Sequence, residues 1–202
     1  MKKLIAILLL VCLLPLCALA EMDEDGDVVV TLDGAEFFFT PIEGGHLLTR
    51  ESSASAFNRL GLSQRETIPL MEQQSLYALL FDAEFTCEVH VYAFPTELAD
   101  YIDMSDYGMT AQCSYYETFM ADQGYAVDAV EEYLVPEGHR FVRTMMHFTD
   151  ETGADFHMLE YHTCHGGVQV TIGLVPYAGE ITPECLALSE AIADSLWITP
   201  IN

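Results

Sequence analysis

An α+β fold, a mainly antiparallel β-sheet with helices packed on it, is predicted by three observations on the 202-residue sequence. Short β-branched and aromatic runs follow one another as hairpins, and helical periodicity is confined to a few segments. No helix recurs regularly between successive strands, as a parallel sheet would require.

The chain opens with Lys2 and Lys3, an apolar run from Leu4 to Leu14, and Ala18-Leu19-Ala20 with small residues where a signal peptidase reads. Residues 1–20 therefore read as a secretory signal peptide cleaved after Ala20. A retained anchor is the competing reading, but the run is short beside the about 20 residues a bilayer span needs. Cys17 follows Leu14-Pro15-Leu16 rather than the small residue that resembles a lipidation site, so a lipid anchor is not expected. Residues 21–27 are acidic and bury nothing, which predicts a disordered, solvated lead-in. A calcium loop counted from Asp23 would need Gly at the sixth position and Glu at the twelfth; Val28 and Gly34 stand there, and the template fails. Residues 28–202 should form a single domain.

Val28 to Thr31 and Phe37 to Thr40 predict two strands around an Asp33-Gly34 turn, with His46 to Thr49 as a third. Ser63 and Glu66 have the spacing of a reciprocal helix cap, and Pro69 limits how regular that helix can be. Leu76 to Phe81 and Phe85 to Ala93 form a hairpin around Asp82-Ala83-Glu84. In its second strand Phe85, Cys87, Val89 and Val91 alternate with Thr86, Glu88, His90 and Tyr92. Met109, Cys113, Tyr116 and Met120 recur at helical spacing until Gly124 stops them. Tyr125 to Leu134 and Arg140 to Phe148 flank Pro136-Glu137-Gly138, while Phe156 to His165 and Val168 to Val175 flank Gly166-Gly167. Thr182 caps a last helix with Pro183 at its first position, and Cys185, Leu188, Ile192 and Leu196 supply its buried stripe.

Charge excludes several functions. Seven basic residues face 32 acidic ones, and removal of residues 1–20 takes both lysines, leaving 5 minus 32, or −27. Nucleic-acid binding needs Lys and Arg on phosphate, so no nucleic-acid partner is expected. Schiff-base, P-loop and kinase-type chemistry all require a lysine and drop out together. A cationic partner is the functional reading of this acidity, and solubility through mutual repulsion is the plain one.

From Phe39-Thr40-Pro41-Ile42-Glu43-Gly44 to Asp194-Ser195-Leu196-Trp197-Ile198, the order of pieces resembles PsbP-like proteins and related exported bacterial proteins of unknown function. An aromatic-Pro-Glu-Gly opening strand, a mid-chain helix, a meander across Gly138, Gly153 and Gly166-Gly167, and a closing Thr-Pro-Glu helix carry the likeness. It implies a PsbP-like sandwich, and binding or assembly rather than catalysis. No functional residue transfers with it.

Histidines concentrate in the C-terminal half, at His139, His147, His157, His162 and His165. The Gly166-Gly167 turn pairs His165 with Val168, Tyr161 with Ile172 and Leu159 with Leu174, so one face is core. Glu160, His162 and Cys164 then share the opposite, wet face with Gln169 and Thr171. A loop from Asp150 to Gly153 would pair Thr149 with Ala154 and set Arg143 opposite Glu160. Arg143, His147, Glu160 and His162 become neighbours and the candidate binding residues. They fit an ordinary cross-strand pair, a polar ligand pocket, or a transition metal on His147, Glu160 and His162, which the guanidinium opposes. His162 and His165 alternate away from each other, and Cys164 from His165, so neither makes a metal knuckle or a thiol–base pair. No catalytic residue, metal or cofactor is assigned.

Four cysteines follow residue 20, and Cys87, Cys113 and Cys185 fall on apolar stripes while Cys164 falls on the opposite sheet face. Buried thiols are the expectation, since a core of this size needs no staple. The sequence thus reads as an exported, non-enzymatic binding protein of the bacterial envelope or extracellular space, free of any transmembrane anchor after cleavage. Its partner would be an unidentified protein or peptide, cationic by charge. The alternative is an enzyme, or a metal- or small-ligand-binding protein, with a polar site on the C-terminal sheet face.

Overall fold

The computed structural model describes residues 20–22, 26–32, 35–136 and 138–201. The signal segment up to Leu19, residues 23–25 of the lead-in, the Asp33-Gly34 turn and Glu137 lie outside the described residues.

Two antiparallel sheets form. The smaller joins β1 (Ala20–Met22), β2 (Val28–Leu32), β3 (Ala35–Phe39) and β11 (Trp197–Pro200), in that order. Ala20–Met22, at the start of the stretch read as a lead-in, pairs with Val28–Val30. The larger sheet takes β4 (His46–Thr49), β5 (Leu76–Phe81), β6 (Cys87–Pro95), β7 (Ala126–Leu134), β8 (Arg140–Thr149), β9 (Asp155–His165) and β10 (Val168–Pro176). Its spatial order is β4-β5-β6-β10-β9-β8-β7, so β7 and β4 are edges and β10 lies at the centre. The α+β architecture is the one the hairpin pattern predicts.

Helices cap and pack for local reasons. Ser53 accepts from Ala56 N at the start of α1 (Ala54–Arg59), which the sequence reading missed because six residues hold too little periodicity. α2 (Gln64–Gln73) runs through Pro69, and its cap residue Ser63 makes no side-chain bond. Ser105 caps α3 (Asp106–Asp122) and Thr182 caps α4 (Pro183–Ser195). The closing Trp197-Ile198 segment, read as the end of the last helix, instead forms β11 beside β3.

Both faces of the large sheet are covered. On one, Val89, Val91, Leu159, Tyr161, Ile172 and Leu174 meet Phe37 and Phe39 of the small sheet and Cys185 and Ile192 of α4. On the other, α3 brings Met109, Tyr116 and Met120 against Val142, Met146, Met158 and Cys164. Farther along that second face, Phe57 of α1 and Met71 of α2 pack with Leu48, Leu76 and Leu79. The expected wet side is therefore an interior: Glu160 is 6% and His162 2% exposed, both beneath a helix the alternation pattern could not place.

One histidine ties the sheets together. The Ile198 N–H of β11 donates to His139 Nε2 at 3.0 Å, just before β8 begins. His139 is buried and beside His165, and desolvation, helped by that second imidazole, lowers its pKa to about 4 from an ordinary 6.5. Because the unfolded chain takes the proton first, stability is complete above pH 6.5 and falls as pH drops through 6.5 towards 4. The difference corresponds to at most about 3 kcal/mol. Urea midpoints between pH 7 and pH 4 should decline more steeply for the native chain than for His139→Gln, whose amide oxygen can still accept from Ile198; parallel curves would contradict this.

Candidate functional site

The β8–β9 connection decides which polar side chains can meet. Asp150 accepts from Thr152 N (2.7 Å), Thr152 Oγ1 (2.7 Å) and Ala154 N (3.0 Å), and Asp150 N donates to Ala154 O at 2.9 Å. This closure takes in Ala154, one residue beyond the predicted loop, with Gly153 at φ +84°. Thr149 thus pairs with Asp155, Arg143 with Tyr161, Thr144 with Glu160 and His147 with His157. A slip of one residue exchanges faces along a strand. Arg143 and His147 accordingly lie on the α4 side, while Glu160 and His162 lie on the α3 side.

Arg143 acts as a clamp between elements. Its guanidinium donates to Glu131 of β7 (2.6 and 3.1 Å) and to Glu190 of α4 (3.0 Å), and sits 5.3 Å from the Tyr133 ring. The predicted Arg143–Glu160 pair does not form.

On the α3 side a polar strip crosses the centre of the sheet. The Gly166-Gly167 hairpin has the predicted register, so His162 stands beside Thr171 and Glu160 beside Gly173. Glu160 Oε2 lies 3.1 Å from His162 Nε2, and His162 Nδ1 is 3.0 Å from Thr171 Oγ1. Tyr116 stacks on the imidazole at 4.2 Å, and its hydroxyl accepts from Gln169 at 2.9 Å. A carboxylate–imidazole–hydroxyl chain has the connectivity of a nucleophile and its base, but Thr171 is buried and the Tyr116 ring lies over the imidazole.

A second carboxylate–imidazole pair lies two strands away. Glu88 Oε1 is 3.0 Å from His90 Nε2, and the other ring nitrogen of His90 is 2.8 Å from Tyr92 Oη. Desolvation alone would raise the Glu88 pKa, yet hydrogen bonds from His90 and Tyr177 hold it below the usual carboxylate range. His90 and Glu160 both register on Gly173. Gly173 is buried between the pairs, and a Cβ there would meet Glu160 Cγ and Tyr92 Cε2 at 3.9 Å, in ordinary van der Waals contact. Burial, followed by the Glu160 and Glu88 charges, raises the Tyr92 pKa, so its phenol remains a donor. Glu88, His90 and Tyr92 had only their alternation to mark them in the sequence; their register with Gly173 was not legible there.

A different cluster forms at the β7 edge. A bulge between Val127 and Ala129 leaves Asp128 outside the ladder. Its carboxylate oxygens lie 3.0 Å from His147 Nδ1 and 3.7 Å from His157 Nδ1. The hydrogen bond to Asp128 is the main cause that raises the His147 pKa. Among the described residues, these three form the group able to hold a metal. All four described cysteines are free: Cys87 and Cys185 share the core on the α4 side, whereas Cys113 and Cys164 share the α3 core. Desolvation, reinforced by Cys185, pushes Cys87 up to about 12.

No model of a known family matches the sequence, and no curated protein matches it. Among solved structures, the chain is similar to cyanobacterial PsbP (CyanoP) from Synechocystis, at 13% identity over 95% of this chain and 99% of that one, with a TM-score of 0.47. It is also similar to a crystal structure from Bacteroides thetaiotaomicron, at 11% identity over 81% of this chain, with a TM-score of 0.46. This chain spans 45% of that protein. No helix among the described residues is long and apolar enough to cross a membrane.

Removing one member of the buried Glu160–His162 pair should cost more than removing both. Glu160→Leu should lower unfolding stability by about 3 kcal/mol, and adding His162→Leu should restore most of that loss, as chemical denaturation would measure. A double variant no more stable than the single one would contradict this account.

Proposed function

We propose that the protein is an exported, non-enzymatic binding protein of the envelope or extracellular space, whose partner is a protein or peptide carrying a basic side chain. The observation that supports this reading is the excess of acidic over basic residues after residue 20, which makes carboxylates the dominant charged group of the protein. An ammonium or guanidinium group is the ligand chemistry that carboxylates accommodate, through charge-assisted hydrogen bonds. The charge of −27 after residue 20 would draw such a partner from a distance. Export rests on the Lys2-Lys3 start, the apolar run and Ala18-Leu19-Ala20. Enzymatic use of the strip is opposed by the buried position of its hydroxyl.

Fluorescence anisotropy with a labelled oligo-arginine peptide and a glutamine counterpart tests this. Only the arginine peptide should bind, with affinity falling as salt rises. Glu160→Gln, whose carboxylate is buried and paired with His162, should leave binding unchanged. Equal binding of the neutral peptide, or affinity indifferent to salt, would refute this reading.

A further inference from the structure

The two histidines and the aspartate at the β7 edge lie on the opposite side of the large sheet from Glu160, His162 and Gly173, and they carry a separate inference. We propose that Asp128, His147 and His157 form a binding site for one divalent transition-metal ion of the zinc class, with water completing the coordination.

The donors are two imidazole nitrogens and a carboxylate oxygen, the set that borderline ions such as Zn2+ favour over calcium or magnesium. Each residue offers one donor atom within 4.8 Å of the others. A tetrahedral zinc site with bonds of about 2.0–2.1 Å needs donors about 3.3 Å apart. The observed 3.0 and 3.7 Å from the Asp128 oxygens to the two Nδ1 atoms bracket that spacing, so small rotations would suffice. His147 and His157 are directly paired residues of β8 and β9, with ring centroids 5.1 Å apart. Neighbouring strands of a covered sheet thus fix both imidazoles before any ion arrives.

Asp128 is brought to them by the bulge. In an unbroken β7 it would follow the ladder; as the extra residue between Val127 and Ala129 it turns its carboxylate onto both rings. The guanidinium that would repel a cation is elsewhere. Arg143 is four residues along β8 and engaged by Glu131 and Glu190, about 13 Å away at strand spacing. His147 and His157 are partly exposed, which leaves the open side for water and for entry of the ion.

Calorimetric titration of the metal-free full-length chain with Zn2+ at neutral pH tests the assignment. One ion should bind per chain, and binding should persist in high salt, unlike a diffuse association with acids. Asp128→Asn, His147→Ala and His157→Ala should each lower affinity at least about tenfold, while His46→Ala should leave it unchanged. In the native chain, without any substitution, the imidazole NMR signals of His147 and His157 should shift with saturation at one equivalent. The proposal is overturned by absent Zn2+ binding, by equal affinity for Ca2+, by binding indifferent to all three substitutions, or by signals of those imidazoles that do not move. Failure of the arginine peptide to bind would leave these results untouched, because coordination by two imidazoles and one carboxylate does not depend on the overall charge.

Discussion

Covering of the large sheet on both faces is the constraint on which the rest of the structure depends. Strands β6, β10 and β9 have α4 and the small sheet on one side and helices on the other, so each polar side chain there must find a partner inside the protein. Glu160 finds His162, His162 finds Thr171, and Gln169 finds Tyr116. The same requirement explains Thr163, whose hydroxyl on the first face donates to Arg140 O at 2.8 Å. Polar groups in this core are ordered by mutual satisfaction rather than by access to solvent.

The architecture was largely legible because hairpin turns announce themselves. Gly166-Gly167 fixed the β9–β10 register residue by residue, since two adjacent positive-φ positions leave one way to close the turn. The turn at Asp150 was different. Its closure depends on one carboxylate gathering three donors, a local competition that the spacing of Asp and Gly does not reveal. A single residue of error there split the expected quartet of Arg143, His147, Glu160 and His162 into two pairs on opposite faces. Likewise, strand alternation separated the two faces correctly, yet it carried no information about which helix would lie over each.

Positive charge is used internally. Arg50 donates to the carbonyls of Leu76 and Met71 and lies 4.1 Å from the Tyr77 ring. Arg140 holds Glu132 and Asp106, and Arg143 holds Glu131 and Glu190. Three guanidiniums therefore fasten one element to another, and the long-range field is left to the carboxylates. A chain with so few cations places them where planar, multiply donating groups bridge carbonyls and carboxylates that a single ammonium would not span.

Among the described residues, strand β7 borders the large sheet with one hydrogen-bonding edge unpaired by another strand. A straight, apolar border of this length would be a template on which a neighbouring molecule could extend the sheet indefinitely. Here the kink at Asp128 interrupts the row. The same bend that gathers the two imidazoles thereby guards the protein against fibrous self-association.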